Sequence, residues 1–459
     1  MPKLVWRVKL VAETQPGVTI ETEVARIERD EDAGLAELGL RLEEAKQLTA
    51  ALQAQIVPAQ VRALSECRRS CVTCGSVLGS KGHYPVRFRS LFGDVPLRIR
   101  RLLFCPCQGG SGARSSAILD FGRNAVAPEL AYVTTRYAAL APFGKVAALL
   151  SELLPMSGTQ HASTARNRTR RVGEIVAQQP TVTDMAQPAE PVVVGLDGGY
   201  VRNRDGREGR HFEVIAGKVI DVEGTQHRFA FVRNGPVTAS DAFKQVLAAA
   251  GVDADTPATV LCDGDAGLWR LQRATLPQAT VVLDWWHLAV RFEHALQTAR
   301  GLGAGTANTH LADQAVRGLQ RAKWRLWHGR WPGCRRKLQA LCRWMQRKPL
   351  RDVAGIGRFQ RHVSELLGHL ERNQDALVHY AARRRRGEPI STAFVESAVN
   401  ETVAWRMNKK QQMSWNRTTV QPFLDVRTAV LDGTLEDAFR RRHHGFRPAN
   451  DERTTAAAA

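Results

Sequence analysis

Pro191-Val-Val-Val-Gly-Leu-Asp197-Gly-Gly-Tyr-Val-Arg202 is the stretch on which the fold turns. Its unbroken apolar start reads as a buried strand with an acid near its end. Asn203-Arg-Asp-Gly206 then reads as a turn, Phe212 to Ile220 as a second strand and His227 to Arg233 as a third. Residues 240–250 are helical. Thr259-Val-Leu-Cys-Asp263 is a short apolar strand ending in an acid, residues 266–275 form a helix, and Thr280-Val-Val-Leu-Asp284 again ends in an acid. The order is β-β-β-α-β-α-β, followed by helix.

That order predicts a multidomain α/β protein with a ribonuclease-H-like core. In its mixed five-stranded sheet, three antiparallel strands meet two parallel ones joined by crossover helices. The first strand lies beside the fourth, which brings Asp197 and Asp263 together. A carboxylate ending a buried strand is costly unless it faces water or a metal. Two of them on adjacent strands suit a pair of Mg²⁺ or Mn²⁺ ions acting on a phosphodiester. Gly198 and Gly199 allow close backbone approach beside Asp197. Asp263 competes with Asp265 for the second position, and its place at the strand end favours it. Asp284 ends the next strand over. With His287 it reads as a supporting pair, with a metal role left open. Residues 190–289 are thus the first part of the core.

A third acid has to come from farther along. Residues 290–388 read as an all-helical insertion rich in Arg, Leu and Trp, including Trp324, Trp327, Trp331 and Trp344. These tryptophans read as core more readily than as base-stacking platforms, although one of them could stack a flipped base. Arg383 to Arg386 is a like-charge run, either solvated or gripping phosphates. Residues 389–435 return to the core with a helix that Ser391 or Thr392 would cap. Glu396 and Asn400, four apart, share its face. Glu396 is the catalytic candidate, since Glu401 falls off that face, and Asn400 supports it. Arg406, Lys409 and Lys410 follow as candidate DNA contacts.

Upstream, residues 1–65 read as a strand and an acidic helix from about Leu35 to Val61, a packing or oligomerisation element. Residues 66–108 hold Cys71-Val-Thr-Cys74 and Cys105-Pro-Cys107 around a hairpin with a turn at Gly93-Asp94. Bringing the two pairs together makes a zinc ribbon with four thiolates. The alternative is a set of free buried cysteines. Cys67 and His83 are spare ligands, which leaves the fourth ligand open. Residues 125–178 read as three helices, the last with Arg166, Arg168, Arg170 and Arg171. This suits a helix-turn-helix-like DNA-binding domain, or else a small bundle with a solvated arginine face. Residues 436–459 read as a disordered basic tail. In the 459-residue chain, 65 lysines and arginines against 45 acids leave a net charge of +20, which favours a polyanionic partner. No run of apolar residues is long enough to span a membrane, and the first residues lack a secretory pattern. A cytoplasmic, nucleoid-associated protein is expected.

Phe394-Val-Glu-Ser-Ala-Val-Asn400, Arg406 to Trp415 and Val426 to Gly433 together resemble the C-terminal signature of bacterial DDE transposases of the ISKra type, relatives of the Mutator-like group. Asp284-Trp-Trp-His287 resembles the (C/D)xxH motif of that wider class. Leu196-Asp-Gly-Gly-Tyr and Cys262-Asp-Gly-Asp resemble its first two acid motifs. The resemblance implies an enzyme that binds the terminal inverted repeats of its own insertion sequence, cuts strands with two metal ions and joins them to target DNA. Asp197, Asp263 and Glu396 would be its triad and metal ligands, in a homodimer or larger assembly on double-stranded DNA. Two other readings fit the same residues: a non-catalytic DNA-binding regulator derived from such an enzyme, and a structure-specific nuclease.

Overall fold

The computed structural model describes residues 4–15, 17–30, 34–108, 114–116, 125–156, 161–178, 191–206, 209–302, 309–350, 353–391, 398–408, 411 and 413–447. Two compact units emerge, one of residues 1–174 with 434–459 and one of residues 175–433.

In the first unit, β1 (Leu4–Gln15) and β2 (Val18–Arg29) pair antiparallel, so the expected single strand is a hairpin. The Pro16-Gly17 dipeptide was the available turn signal, and Gly17 takes a positive φ of 83°. Helix α1 (Leu42–Cys67) starts later than its apolar spacing suggested. Arg29 fixes the start by donating to both Glu44 carboxylate oxygens, at 2.7 and 2.6 Å. Strands β3 (Ser80–Ser90) and β4 (Gly93–Leu103) form the second hairpin, edged by β5 (Arg114–Ser116). Ser90 pairs with Gly93, so the turn falls on Leu91-Phe92 and Gly93 opens β4. Alternate β4 residues Val95, Leu97 and Ile99 bury against Val57 and Val61 of α1, which seals a small core.

Helices α2 (Pro128–Leu140), α3 (Phe143–Leu153) and α4 (Ala162–Gln178) stand where three helices were expected. Ser157, the expected cap of the third, lies outside the described residues. The stretch expected to be a disordered tail instead carries a helix, Leu435–Arg442. Its Phe439, together with Phe446, packs edge-on against Tyr132 of α2, each at 5.3 Å between ring centres. Residues 448–459 lie outside the described residues.

The second unit is built on a five-stranded sheet in the order β10-β9-β6-β7-β8. The strands are β6 (Val192–Arg202), β7 (His211–Ile220), β8 (Gln226–Val232), β9 (Ala258–Cys262) and β10 (Thr280–Leu283). β6 to β8 are antiparallel, while β9 and β10 run parallel to β6. The first strand therefore does lie beside the fourth. Helices α5 (Ala239–Ala249) and α6 (Ala266–Thr275) are the crossovers. The insertion comprises α7 (Trp285–Gly301), α8 (Thr309–Trp327), α9 (Trp331–Met345), α10 (Ile356–Arg372) and α11 (Tyr380–Arg385). One continuous apolar core runs from Val194 and Val260 in the sheet through Phe292, Leu319 and Leu338 to Phe359 and Tyr380, so the insertion is built onto the sheet. No helix of the described residues is long and apolar enough to cross a membrane.

Candidate functional site

The strand register builds a row of acids. Gly195 of β6 pairs with Leu261 of β9, and Leu283 of β10 pairs with Cys262. Carried past the last pairs, that register sets Asp263 and Asp284, just past the ends of β9 and β10, level with Asp197, which lies midway along β6 and not at its end as expected. β9 stops at Cys262 while β6 runs on to Arg202, which leaves the β9 side of Asp197 open. Burial, together with the charges of Asp263 and Asp284, pushes the Asp197 carboxyl up to about 6. The Gly198 N–H, which donates to it at 2.7 Å, and His287 work the other way.

The three acids are not alike. Asp284 is fully buried, caps α7 by accepting from the Trp286 and His287 amides, and lies 2.5 Å from His287 Nδ1. Burial pulls His287 down, but its hydrogen bond to Asp284 and the surrounding carboxylates outweigh this and raise it. Asp284 is thus compensated within the chain, by two helix amides and the half-buried His287. Asp265 caps α6 and receives Arg233 at 3.0 Å, whose other nitrogen grips Glu213 at 2.7 Å. This supports reading Asp263, rather than Asp265, as the acid available to the site. Asp263 itself accepts the Asp265 amide at 2.9 Å across Gly264.

The helical segment from Ala398 to Met407, with a π-type turn at Asn400–Ala404, lies along the outer half of β6. Gly199 makes this contact: a Cβ there would come within 3.1 Å of Val399 and 3.3 Å of Val403. Farther on, the Asn408 side chain donates to the Tyr200 carbonyl, and Trp415 exchanges backbone hydrogen bonds with Arg202 and Arg204. Glu396 lies outside the described residues, as do Lys409 and Lys410. Glu401 faces away into a cluster with Lys218 (3.8 Å) and Arg228 (3.0 Å), and Arg228 also holds Asp432.

In the first unit, Cys71, Cys74, Cys105 and Cys107 converge, with all four sulfurs within 4.8 Å of one another. The Sγ atoms of Cys71 and Cys107 are 3.6 Å apart and those of Cys74 and Cys105 are 3.3 Å apart. Tetrahedral Zn–S bonds of about 2.3 Å require sulfurs roughly 3.8 Å apart, so the donor set fits zinc. The Ser76 hydroxyl draws the Cys74 thiol down to about 6, while the neighbouring Cys105 pushes the Cys107 thiol up. Cys67 and His83 are not in the quartet. Among the described residues this is the one His, Cys, Asp and Glu group gathered tightly enough for a metal; Asp197 and Asp263 do not form such a group without a further ligand.

No protein family and no curated protein matches the chain by sequence. Among solved structures, the Drosophila P element transposase strand transfer complex is similar, at 12% identity and a TM-score of 0.32, over 69% of this chain and 94% of that one.

The candidate DNA contacts divide by exposure. On α4, Arg166, Arg170 and Arg171 are exposed, with Arg170 3.3 Å from Glu174. Arg168 turns inward and donates to the buried Thr134 hydroxyl at 2.8 Å. Burial and the neighbouring Arg89 lower its guanidinium to about 10, so it packs the helices together rather than meeting phosphates. Arg406 is corrected outright: it is 0% exposed, lies over the Trp415 and Phe423 rings at 5.3 and 5.0 Å, and is lowered to about 9 by burial. Sequence reasoning also missed Trp324, which is 61% exposed, whereas Trp344 is buried as expected.

Proposed function

We propose that the chain is a DDE-type transposase with a ribonuclease-H-like catalytic core, using Asp197, Asp263 and Glu396 to cleave and rejoin DNA strands. One observation carries the reading. Asp197, midway along β6, lies level with Asp263 just past the end of the adjacent parallel strand β9, and the segment that begins at Ala398 packs on Gly199, two residues from Asp197. Glu396, three residues before Val399 in the chain, is the third acid of this proposal. The ISKra-type motifs at 394–400 and 406–415 agree with it.

Divalent ions held by these three carboxylates would neutralise charge on the scissile phosphodiester and favour deprotonation of the attacking oxygen. The chain's own contribution is placement. The β6–β9 register fixes two acids, Gly199 seats the segment that follows the third, and buried Asp284 with its partner His287 stiffens the neighbouring strand end. Water first attacks at the element end, and the freed 3′-hydroxyl then attacks target DNA. Exposed Arg166, Arg170 and Arg171 on α4 would hold the terminal inverted repeats, and the zinc ribbon would stabilise that unit. Assembly as a homodimer or larger on double-stranded DNA, at the nucleoid, belongs to the same proposal.

The test is cleavage of DNA carrying the inverted repeats that flank the gene, with Mg²⁺ or Mn²⁺. Asp197→Asn should keep its fold and its repeat binding and lose cutting. Normal cutting by Asp197→Asn would refute the assignment.

A further inference from the structure

The last backbone pair between β6 and β9 is Gly195 with Leu261, two residues short of Asp197 and of Asp263. A tie between the two acids beyond that point runs across the opposite face of the sheet. Glu213 of β7 pairs with Tyr200, so its side chain shares a face with Gly198 and Tyr200, while Asp197 and Gly199 point to the other. Arg233 directly follows β8, and its amide donates to the Glu213 carbonyl at 3.1 Å. One guanidinium nitrogen donates to both Glu213 carboxylate oxygens, at 2.9 and 2.7 Å, and the other reaches Asp265 at 3.0 Å. In the sheet, β8 and β9 are separated by β7 and β6, a span of about 14 Å at the usual strand spacing. The Glu213–Arg233–Asp265 bridge therefore crosses two strands and joins the edge strand to the loop that carries Asp263.

Two glycines leave room for the crossing. A Cβ at Gly198 would lie 2.6 Å from Glu213 Oε1, and one at Gly267 would fall 1.3 Å from an Arg233 nitrogen. The same residues lead to the acids. The Gly198 amide donates to Asp197 at 2.7 Å. Asp265 accepts the Gly267 and Leu268 amides at 2.8 and 3.0 Å, and its own amide donates to Asp263 at 2.9 Å. We propose that Arg233 is a positioning residue that sets the separation of Asp197 and Asp263, and so the geometry in which they would share a divalent cation. This role rests on the transposase reading of the two acids. A planar guanidinium fork holds two carboxylates at once, which a lysine ammonium does not. A half-exposed ion pair adds little to stability, whereas a partner that orients a metal ligand changes metal affinity or activity about 10–100-fold.

The test uses the full-length protein and two readouts that need no cutting. Hydrogen exchange at the amides of Asp263 to Leu268 reads the tether. Electron paramagnetic resonance of free Mn²⁺ reads the cation site, and the Mn²⁺ that Asp197→Asn fails to bind is the one counted. Arg233→Gln should speed that exchange and weaken Mn²⁺ binding about 10–100-fold. The sign separates placement from charge: removing a cation beside a metal site strengthens metal binding by electrostatics alone, so weakening reads lost geometry. Arg233→Lys keeps the charge without the fork and should fall in between. Asp265→Asn keeps a capping side chain on α6 and loses the charge that Arg233 grips. It should speed the same exchange, and it decides the tether if Arg233→Gln fails to fold. Unchanged exchange in both variants, or Mn²⁺ held by Arg233→Gln as tightly as by the wild type, would overturn the proposal. Cleavage of the repeat-bearing DNA keeps the two readings apart. Normal cutting by Asp197→Asn overturns the transposase assignment. Cutting abolished in Asp197→Asn but unchanged in Arg233→Gln across an Mn²⁺ titration overturns only the role of Arg233.

Discussion

Gly264 sits between Asp263 and Asp265 with φ at +95°, and replacing it with alanine should disturb the acid row from its backbone. A Cβ there would lie 2.8 Å from Asn373 Nδ2, 2.8 Å from His369 Cε1 and 2.9 Å from Leu283 Cδ1. None of these neighbours is a free side-chain end. Trp269 Nε1 donates to Asn373 at 2.7 Å, Asn373 donates to the His369 carbonyl at 2.9 Å, and both residues are buried. An L-residue in the left-handed region costs about 1–2 kcal/mol, and forcing a carbon into a packed site costs about 1–3 kcal/mol. Gly264→Ala should therefore destabilise the second unit by about 2–5 kcal/mol. With a urea dependence near 3 kcal/mol per molar, the midpoint falls by roughly 1 M. Helical circular dichroism across a urea titration reads this directly. Adding His369→Ala makes room for the methyl without changing φ, so a double-mutant cycle should show positive coupling and only partial recovery. A Gly264→Ala protein with the wild-type midpoint would refute the packing argument, and additive behaviour of the two substitutions would refute the contact.

Purified protein should carry one zinc per chain by elemental analysis; Cys71→Ser or Cys107→Ser should lose it and lower the melting temperature, while Cys67→Ser should do neither. Arg406→Ala should cost about 2 kcal/mol or more by opening a cavity between Trp415 and Phe423, and Arg406→Met should cost less because it also removes a buried charge; Arg166→Ala should weaken DNA binding at unchanged stability, as filter binding and thermal melting would show. Burial raises the Asp425 carboxyl from 3.8 to about 7 against the opposing hydrogen bond from Gln421. A raised carboxyl contributes stability that is present below its unfolded value and lost as pH climbs through the folded one. Stability should thus fall between about pH 4 and pH 7, and Asp425→Asn should flatten that fall in pH-dependent denaturation.

The strands of the second unit were legible because each advertises itself locally. β10 has four residues, yet Thr280-Val-Val-Leu followed by Asp284 reads as a strand end on its own. The first strand's place beside the fourth follows from chain order, and the cysteine quartet from spacing. What was missed depends on partners remote in sequence. Arg406 looks like any phosphate-binding arginine until Trp415 and Phe423 close over it. Trp324 and Trp344 sit on amphipathic helices of similar texture, and only the packing of α8 and α9 decides which indole is covered. The helix at 435–442 had a signal that its arginines obscured: Leu435, Ala438 and Phe439 recur at helical spacing, and all three are buried.

The acids of the second unit differ in what already compensates them, and this bears on where a cation would act. Asp284 is repaid by two helix amides and His287, and Asp265 by two helix amides and Arg233. Asp197 shows a single adjacent N–H, and burial together with two neighbouring carboxylates raises it. The arginine best placed to neutralise this end of the sheet, Arg233, is instead held by Glu213 and Asp265. A fold that needed only rigidity here would gain by replacing Asp197 with an apolar residue, since a half-buried carboxylate with so little compensation is a net cost. On the proposed function, a divalent cation from outside the chain would supply the positive charge that Asp197 lacks within it.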